Sequence, residues 1–247
     1  MDDAAPVALP AGALPPGWRG RVDRGAVGVV FDRPRPVLSS ALVNGGWGQA
    51  GGFCNMTVDA AAPRHAGGPA ALVAETAAAR GLPADSVGMM TGAWMHRLRL
   101  ASVREAGHTL CLLLTAGLAN ARRAGDPADG AELVPAGDGP LDDGPVGTIN
   151  CAFGTSLALT PAACAETLAT LTEAKTATLI DHGVTSPVTG APATGTGTDA
   201  TAVFAGLDGA PLAYTGKHTR FGELAARLMI AALGDALAGM RGVAHAR

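Results

Sequence analysis

Residues 146–183 constrain the fold more than any other stretch. Residues 146–153 read as an apolar strand, and Thr160-Pro161 then starts a helix, with a side-chain cap and proline at the first helical position. That helix runs to Gly183, and Leu159, Ala163, Leu168, Leu171, Ala174, Thr178 and Leu179 can form its inner stripe. Upstream, residues 26–31, 36–43, 53–58, 87–91, 98–105 and 108–115 read as strands, the last two as a hairpin through Ala106-Gly107. Residues 70–80 read as a helix stopped by Gly81, and 60–68 and 125–144 as loops. Residues 198–205 give a further strand and 219–238 a final amphipathic helix. Runs of strands mixed with strand–helix links imply an α+β fold, a layered sandwich of mixed and antiparallel sheets with flanking helices, rather than a doubly wound sheet. Residues 1–17, rich in Ala, Pro and Gly, read as a flexible tail, and 18–247 as one domain.

Composition removes several function classes. Hydrophobic residues make up 48% of the 247, which allows a sizeable core, and the net charge is −3 with no basic stripe, so nucleic acid is not an expected partner. No apolar run approaches the roughly 20 residues that span a bilayer. Met1-Asp2-Asp3 lacks the cationic, then apolar, start of a signal peptide, so a cytoplasmic protein with no membrane partner is expected. Cys54, Cys111, Cys151 and Cys164 form no CxxC pair and read as buried free thiols. The six histidines include no pair three or four apart, so no protein-bound metal is expected.

Two polar stretches stand out: Thr194-Gly195-Thr196-Gly197-Thr198-Asp199-Ala200 and Gly216-Lys217-His218-Thr219. Lys175 and Lys217 are the only lysines in an arginine-using chain, which suits a need for a compact ammonium. A flexible turn is the plain alternative for the Gly/Thr run. Gly46-Trp47-Gly48-Gln49-Ala50-Gly51 matches the dinucleotide string, but residues 53–58 look extended, and that motif needs a helix there. Asn44-Gly45-Gly46 is a tight turn, either ordinary or exposing amides to an oxyanion. The Gly216-Lys217-His218 run fails as a phosphate loop, and no GxSxG elbow occurs. On the strand Gly147-Thr148-Ile149-Asn150, Thr148 and Asn150 face one side, as a site wall or as strand-to-strand hydrogen bonds. Glu173 and Lys175, two apart on their helix, do not face each other.

Seven pieces in this order closely resemble the adenosylcobinamide amidohydrolase (CbiZ) family. They are Ser39 to Gly46, Val87 to Thr91, Thr115 to Ala121, Gly147 to Asn150, Thr172 to Ala177, Thr194 to Ala200 and Gly216 to Thr219. The resemblance covers roughly residues 26–240. Ser156 stands where the family pattern suggests an acid, and Cys151 and Cys164 are idiosyncratic. The resemblance implies hydrolysis of the amide joining the aminopropanol arm to the corrin ring of adenosylcobinamide, in corrinoid salvage. The substrate's cobalt would be the metal present, with no cofactor held by protein ligands. A corrinoid is then the small-molecule partner, and a homo-oligomer stays open. Residues 145–206 also resemble, more faintly, self-cleaving DmpA-type aminopeptidases, in which a Gly-Ser or Gly-Thr bond is cut. That suggests an α/β/β/α sandwich.

Amide hydrolysis needs a nucleophile, a proton donor for the leaving amine and a place for the oxyanion, and the polar residues can be matched to these needs. Thr148 would be the nucleophile, or would place a water. Asp199 would be base or orienting acid, and Lys217 or His218 would balance charge and protonate the leaving nitrogen. Amides of Asn44, Gly45 and Gly46, or of Gly195 and Gly197, would form an oxyanion hole. Asn150, Glu173, Lys175 and Thr198 complete the expected substrate site. A corrinoid carrier without catalysis and a DmpA-like aminopeptidase are the rival readings.

Overall fold

The computed structural model describes residues 5–59, 65–130 and 147–244. Its strands are β1 (Val7–Ala8), β2 (Trp18–Val22), β3 (Ala26–Ser39), β4 (Gly46–Thr57), β5 (Val87–Thr91), β6 (Arg99–Glu105), β7 (His108–Ala116), β8 (Ala121–Arg122), β9 (Ile149–Thr155), β10 (Leu157–Leu159), β11 (Gly195–Thr196), β12 (Ala200–Phe204) and β13 (Asp208–Leu212). The helices are α1 (Gly68–Ala79), α2 (Pro161–Asp181) and α3 (Arg220–Ala244).

Among the described residues, nine strands share one sheet in the order β1-β2-β3-β12-β9-β7-β6, with β4 on the other side of β3 and β5 beyond it. Pairings β9–β12 and β4–β5 are parallel, and the rest of this sheet is antiparallel. The sheet folds over at β3 and β4. The first half of β3 pairs with β2 and its last residues pair with β12, while β4 follows both halves through a register shift between Val30 and Arg35. Such an irregularity bends and twists a strand, which lets one hairpin serve two layers.

Strand alternation then builds three cores. Ile149, Cys151 and Phe153 of β9 face α2 and α3, in a cluster with Leu112 and Leu114 of β7 and Leu171, Leu228 and Leu233 of the helices. Ala152 of β9, Cys111 and Leu113 of β7 and Phe204 of β12 face the other way, onto Val27, Phe53, Val87 and Trp18. The outer face of β4 and β5 packs Cys54 and Met56 against Val73 and Ala77 of α1. Helix, sheet, sheet and helix are therefore stacked as an α/β/β/α sandwich, a mixed α+β fold as expected. No helix among the described residues is long and apolar enough to cross a membrane.

The helix signals act as the sequence suggests. Thr160 Oγ1 accepts from Ala163 N at 3.1 Å, with Pro161 following. Several boundaries differ from expectation. Residues 26–31 and 36–43 belong mainly to one bent strand, because the register shift, not a break, separates their patterns. The dinucleotide-like string lies inside β4, so no helix follows it. The strand expected at 146–153 runs Ile149–Thr155, and α3 continues past the expected 238 to Ala244. The loops expected at 60–68 and 125–144 fall partly outside the described residues. Residues 5–17 do not behave as a loose tail: β1 pairs with β2, and Leu14 is buried against the middle core beside Trp18. Leu9 and Leu14 anchor this Pro-rich segment, which its composition alone conceals.

All four cysteines are free and buried. Burial pushes the thiols up, Cys54 and Cys164 to about 11 and Cys111 and Cys151 to about 12. The folded protein is expected to show no fast reaction with a thiol reagent at neutral pH, and four equivalents after denaturation. Rapid labelling of the native protein would contradict this burial.

Candidate functional site

The polar centre lies at the end of the sandwich where β7 finishes and β9 and β12 begin. Here the inner faces, apolar elsewhere, turn polar. Thr115 of β7, Asn150 of β9 and Asn55 of β4 are all buried. Asn150 Nδ2 donates to Asn55 Oδ1 at 2.9 Å and to the Met90 carbonyl at 2.8 Å, and Asn55 Nδ2 donates to Thr115 Oγ1 at 2.9 Å. The chain of amides bridges the two layers of the sheet, and each link satisfies a group that would cost about 1–3 kcal/mol if left unpaired. Thr148, also buried, ends this chain. Its single hydroxyl proton can go to Thr198 O at 2.9 Å or to Asn150 Oδ1 at 3.1 Å. Thr148 and Asn150 thus face one side, as the strand alternation requires.

Asp199 stands behind Thr148 and holds the backbone. Oδ1 accepts from Ile149 N at 2.9 Å and from Thr196 Oγ1 at 2.5 Å, while Oδ2 accepts from Thr196 N at 3.1 Å and from Lys175 Nζ. The Lys175 and Asp199 side chains are only 9% and 12% exposed, so this is a buried ion pair from α2 to the start of β12. Both Asp199 oxygens are thus engaged, each accepting from two donors. Gly195 makes room for the pair: a Cβ there would lie 2.4 Å from Asp199 Oδ2 and 3.2 Å from Lys175 Nζ. Lys175, expected to bind substrate, is the ammonium that the Gly/Thr loop serves.

Gly147 is pressed by the loop after β7. A Cβ on it would meet Ala119 N at 2.7 Å, Asn120 Oδ1 at 2.8 Å and Gly117 O at 3.0 Å. Gly117 N donates to Thr148 O at 2.9 Å, and Thr198 Oγ1 donates to Gly147 O at 3.2 Å. The Gly147 carbonyl is thus held by Thr198, and the carbonyl of the next peptide by Gly117 N. On the Lys175–Asp199 side lies an open cleft of about 630 Å³, lined by Arg122, Arg123, Thr172, Lys175, Thr194, the Gly195–Thr196 strand, Gly197 and Asp199. A larger cleft, of about 900 Å³, lies between the N-terminal residues and the end of α1, lined by residues of β2 and by Arg80 and Leu82, and contains none of these groups.

The remaining expected residues divide. Asn44 adopts φ +52° and its amide donates to Ala84 O at 3.0 Å and Ser86 O at 2.8 Å, so its side chain clamps a loop. A Cβ on Gly45 would lie 2.4 Å from Ala41 O, and Gly46 has φ +93°, so this turn demands glycine for its own geometry. The turn leaves the sheet at the Thr148 end, since Ser40 N donates to Thr201 O at 3.0 Å. The amides of Thr196 and Gly197 are engaged by Asp199 and by Asn120 O at 3.2 Å, so the Gly195–Gly197 run shapes a turn and leaves those two amides no free direction toward an oxyanion.

Lys217, His218 and Glu173 are not brought to this centre. Thr219 Oγ1 donates to Gly216 O at 2.7 Å and accepts from Gly222 N at 3.0 Å, so Gly216 to Thr219 is the cap of α3. That cap lies toward the β6–β7 hairpin, where Arg220 pairs with Glu105, away from the end of β7 that reaches Thr148. Lys217 is exposed and pairs with exposed Glu173, and His218 is exposed. The rare lysine that bears on Thr148 is Lys175. Exposed pairs contribute about 0–1 kcal/mol. Lys217→Ala is therefore expected to keep activity and to move the melting temperature by no more than a few degrees. A large loss of turnover in that variant, with normal folding, would return Lys217 to the site.

Asn120 and Asn55 are the groups that sequence reasoning passed over. Asn120 lies in the Thr115 to Ala121 piece, an asparagine among small residues just after an apolar strand, which is a readable signal. Asn55 sits in an apolar strand, where a lone amide is the signal. No group of three or more His, Cys, Asp or Glu among the described residues could hold a metal.

The chain has known relatives. The family model described as adenosylcobinamide amidohydrolase (CbiZ) matches residues 19–244. An uncharacterized protein of Methanocaldococcus jannaschii is 39% identical over 95 residues, a match spanning 37% of this chain and 36% of that protein. The aligned part is thus little more than a third of that relative's length. Among solved structures, a Burkholderia sp. beta-aminopeptidase is 16% identical with a TM-score of 0.39, covering 95% of this chain and 82% of its own. An L-aminopeptidase D-Ala-esterase/amidase from Ochrobactrum anthropi is 13% identical with a TM-score of 0.37, covering 94% and 82%. A Pyrococcus horikoshii protein is 11% identical with a TM-score of 0.38, covering 92% and 81%.

Proposed function

The chain belongs to the adenosylcobinamide amidohydrolase family, and from that premise we propose that it cleaves the amide joining the aminopropanol arm of adenosylcobinamide to the corrin ring. The products would be adenosylcobyric acid and the free amino alcohol, in cobamide salvage. The observation that carries this reading is the family match over residues 19–244, which spans every element of the Thr148 centre. The substrate brings its own cobalt, and the protein supplies side chains only.

Thr148 is the proposed nucleophile. Its hydroxyl meets only neutral acceptors, Thr198 O and Asn150 Oδ1, and Asp199 is already saturated. A threonine with no ionisable base needs one from elsewhere, and its own α-amine is a chemically competent base once free. The hydrogen bond that the Gly147 carbonyl accepts supports cleavage at the Gly147–Thr148 bond. The Thr198 hydroxyl polarises the Gly147 carbonyl, Thr148 Oγ1 adds to its carbon, and the C–N bond breaks to leave an ester and a free amine. Water then hydrolyses the ester, giving a Gly147 carboxylate and Thr148 with hydroxyl and amine both free. In turnover the amine takes the hydroxyl proton, Oγ1 attacks the substrate amide, and the amine returns the proton to the departing nitrogen. Water releases cobyric acid from the ester. Asn150 would orient Oγ1, and Asp199 with Lys175 would fix the strand that carries it.

In the second version, Thr148 places an attacking water and the chain stays intact. Denaturing electrophoresis and mass spectrometry of the purified protein separate the two, since cleavage yields two fragments, the second beginning at Thr148. Incubation with adenosylcobinamide is expected to yield adenosylcobyric acid by mass spectrometry. Binding without product would indicate a corrinoid carrier, and turnover of short peptide amides instead would indicate an aminopeptidase.

A further inference from the structure

Asn120 Oδ1 is buried and has no hydrogen-bond partner among the described residues. An acceptor left in that state costs about 1–3 kcal/mol, so this one calls for a partner. The atom sits 2.8 Å from the point where a Cβ on Gly147 would stand. The same loop lies against the next residue as well: a Cβ on Gly117 would be 3.6 Å from Thr148 N. At the other end of the carboxamide, Nδ2 lies 3.5 Å from the Cβ position of Gly197. An uncharged acceptor is thus held beside the bond whose cleavage would create an amine.

We infer that Asn120 is the positioning residue for the freed α-amine of Thr148, accepting one of its N–H groups through Oδ1 so that the nitrogen lone pair faces Oγ1. This rests on the reading of Thr148 as a nucleophile released by cleavage. The choice of amide has a chemical reason. A carboxylate at this place would hold the amine as an ammonium ion and remove it as a base, whereas a neutral carbonyl orients it without raising its proton affinity as strongly. The charged groups nearest the centre are Asp199 and Lys175, already paired with each other, and Arg122 of β8, paired with Asp129. Thr115, Asn55 and Asn150 face it as neutral groups.

The test uses the wild-type protein, Asn120→Ala and Asn120→Asp. The rate of amine acylation against pH, followed by mass spectrometry on the fragment that begins at Thr148, reads the amine's pKa without substrate. A free α-amine ordinarily titrates near 7.7–8.0. Asn120→Asp is expected to raise the wild-type value by about one unit. With adenosylcobinamide, Asn120→Ala is expected to lower kcat by about 10–100-fold while KM changes less than about 2-fold. Asn120→Asp should move the acidic limb of the kcat profile upward by about the shift seen in acylation. Equal amine pKa values in all three proteins would overturn the proposal. So would an intact, active wild-type chain, which leaves the hydrolase reading standing, or variants that fold but remain uncut, which would place Asn120 in the cleavage step. Fragments and amine shifts as expected, without any corrinoid product, would instead keep Asn120 and remove the proposed substrate.

Discussion

Thr148→Val is expected to reduce turnover of adenosylcobinamide by about 10⁴-fold or more, because it removes the attacking oxygen while keeping the side chain's shape. The same variant should run as one uncut chain, since valine has nothing with which to attack the Gly147 carbonyl. The fold should survive. The hydroxyl's hydrogen bonds go to Thr198 O and Asn150 Oδ1, and losing them costs on the order of 1–3 kcal/mol. Thr148→Ser should still be cut and retain part of the activity. A Thr148→Val protein that hydrolyses the substrate at near wild-type rate would remove Thr148 from the chemistry altogether.

Breaking the Lys175–Asp199 pair is expected to have the largest effect on stability. Removing one member of a buried pair leaves the other charge without compensation and costs about 3–5 kcal/mol. For a chain of this size that corresponds to a melting temperature lower by roughly 6–20 °C. Asp199→Asn and Lys175→Met should each show it by calorimetry. Asp199→Asn should also lose activity at a temperature where it is folded, because Ile149 N and Thr196 would lose the carboxylate that fixes Thr148. The double variant should be more stable than the sum of the single losses implies, since it strands no charge. Additive losses would show that the two side chains act separately.

Much of this organisation can be read in the chain, and the failures have physical causes. Thr160-Pro161 announces α2 because the cap and the proline are local chemistry. The α/β/β/α order follows from strand alternation feeding three cores, and the layered α+β class was legible from that mixture of links. The bend in β3 was not legible, because it depends on β2 and β12 pairing with different halves of one strand. The site shows the same division. Thr148, Asn150 and Asp199 stand out as polar residues at the ends of apolar runs, and the structure draws them together. Lys217 and His218 also stand out, yet they decorate the cap of α3. A rare lysine signals a special environment without saying which lysine has it, and only packing against Asp199 distinguishes Lys175. Asn120 carried a local signal, but its role could not be read from it, because its meaning lies in contact with Gly147, 27 positions later in the numbering.

The hairpin of β3 and β4 has a mechanical consequence. Asn55 belongs to the half of β4 on one layer, and Asn150 to the other layer, and the two amides meet at 2.9 Å. Close to the fold line, a Cβ on Gly52 would stand 2.7 Å from Val29 O, so the strands there are in backbone contact. Because one continuous pair of strands spans both layers, the gap holding the Asn55–Asn150 bridge is set by the chain's own covalent path. The layers cannot slide apart without distorting that ribbon. In the proposed reaction, a bulky corrinoid would therefore meet walls whose separation is set by this ribbon rather than by side-chain contacts alone.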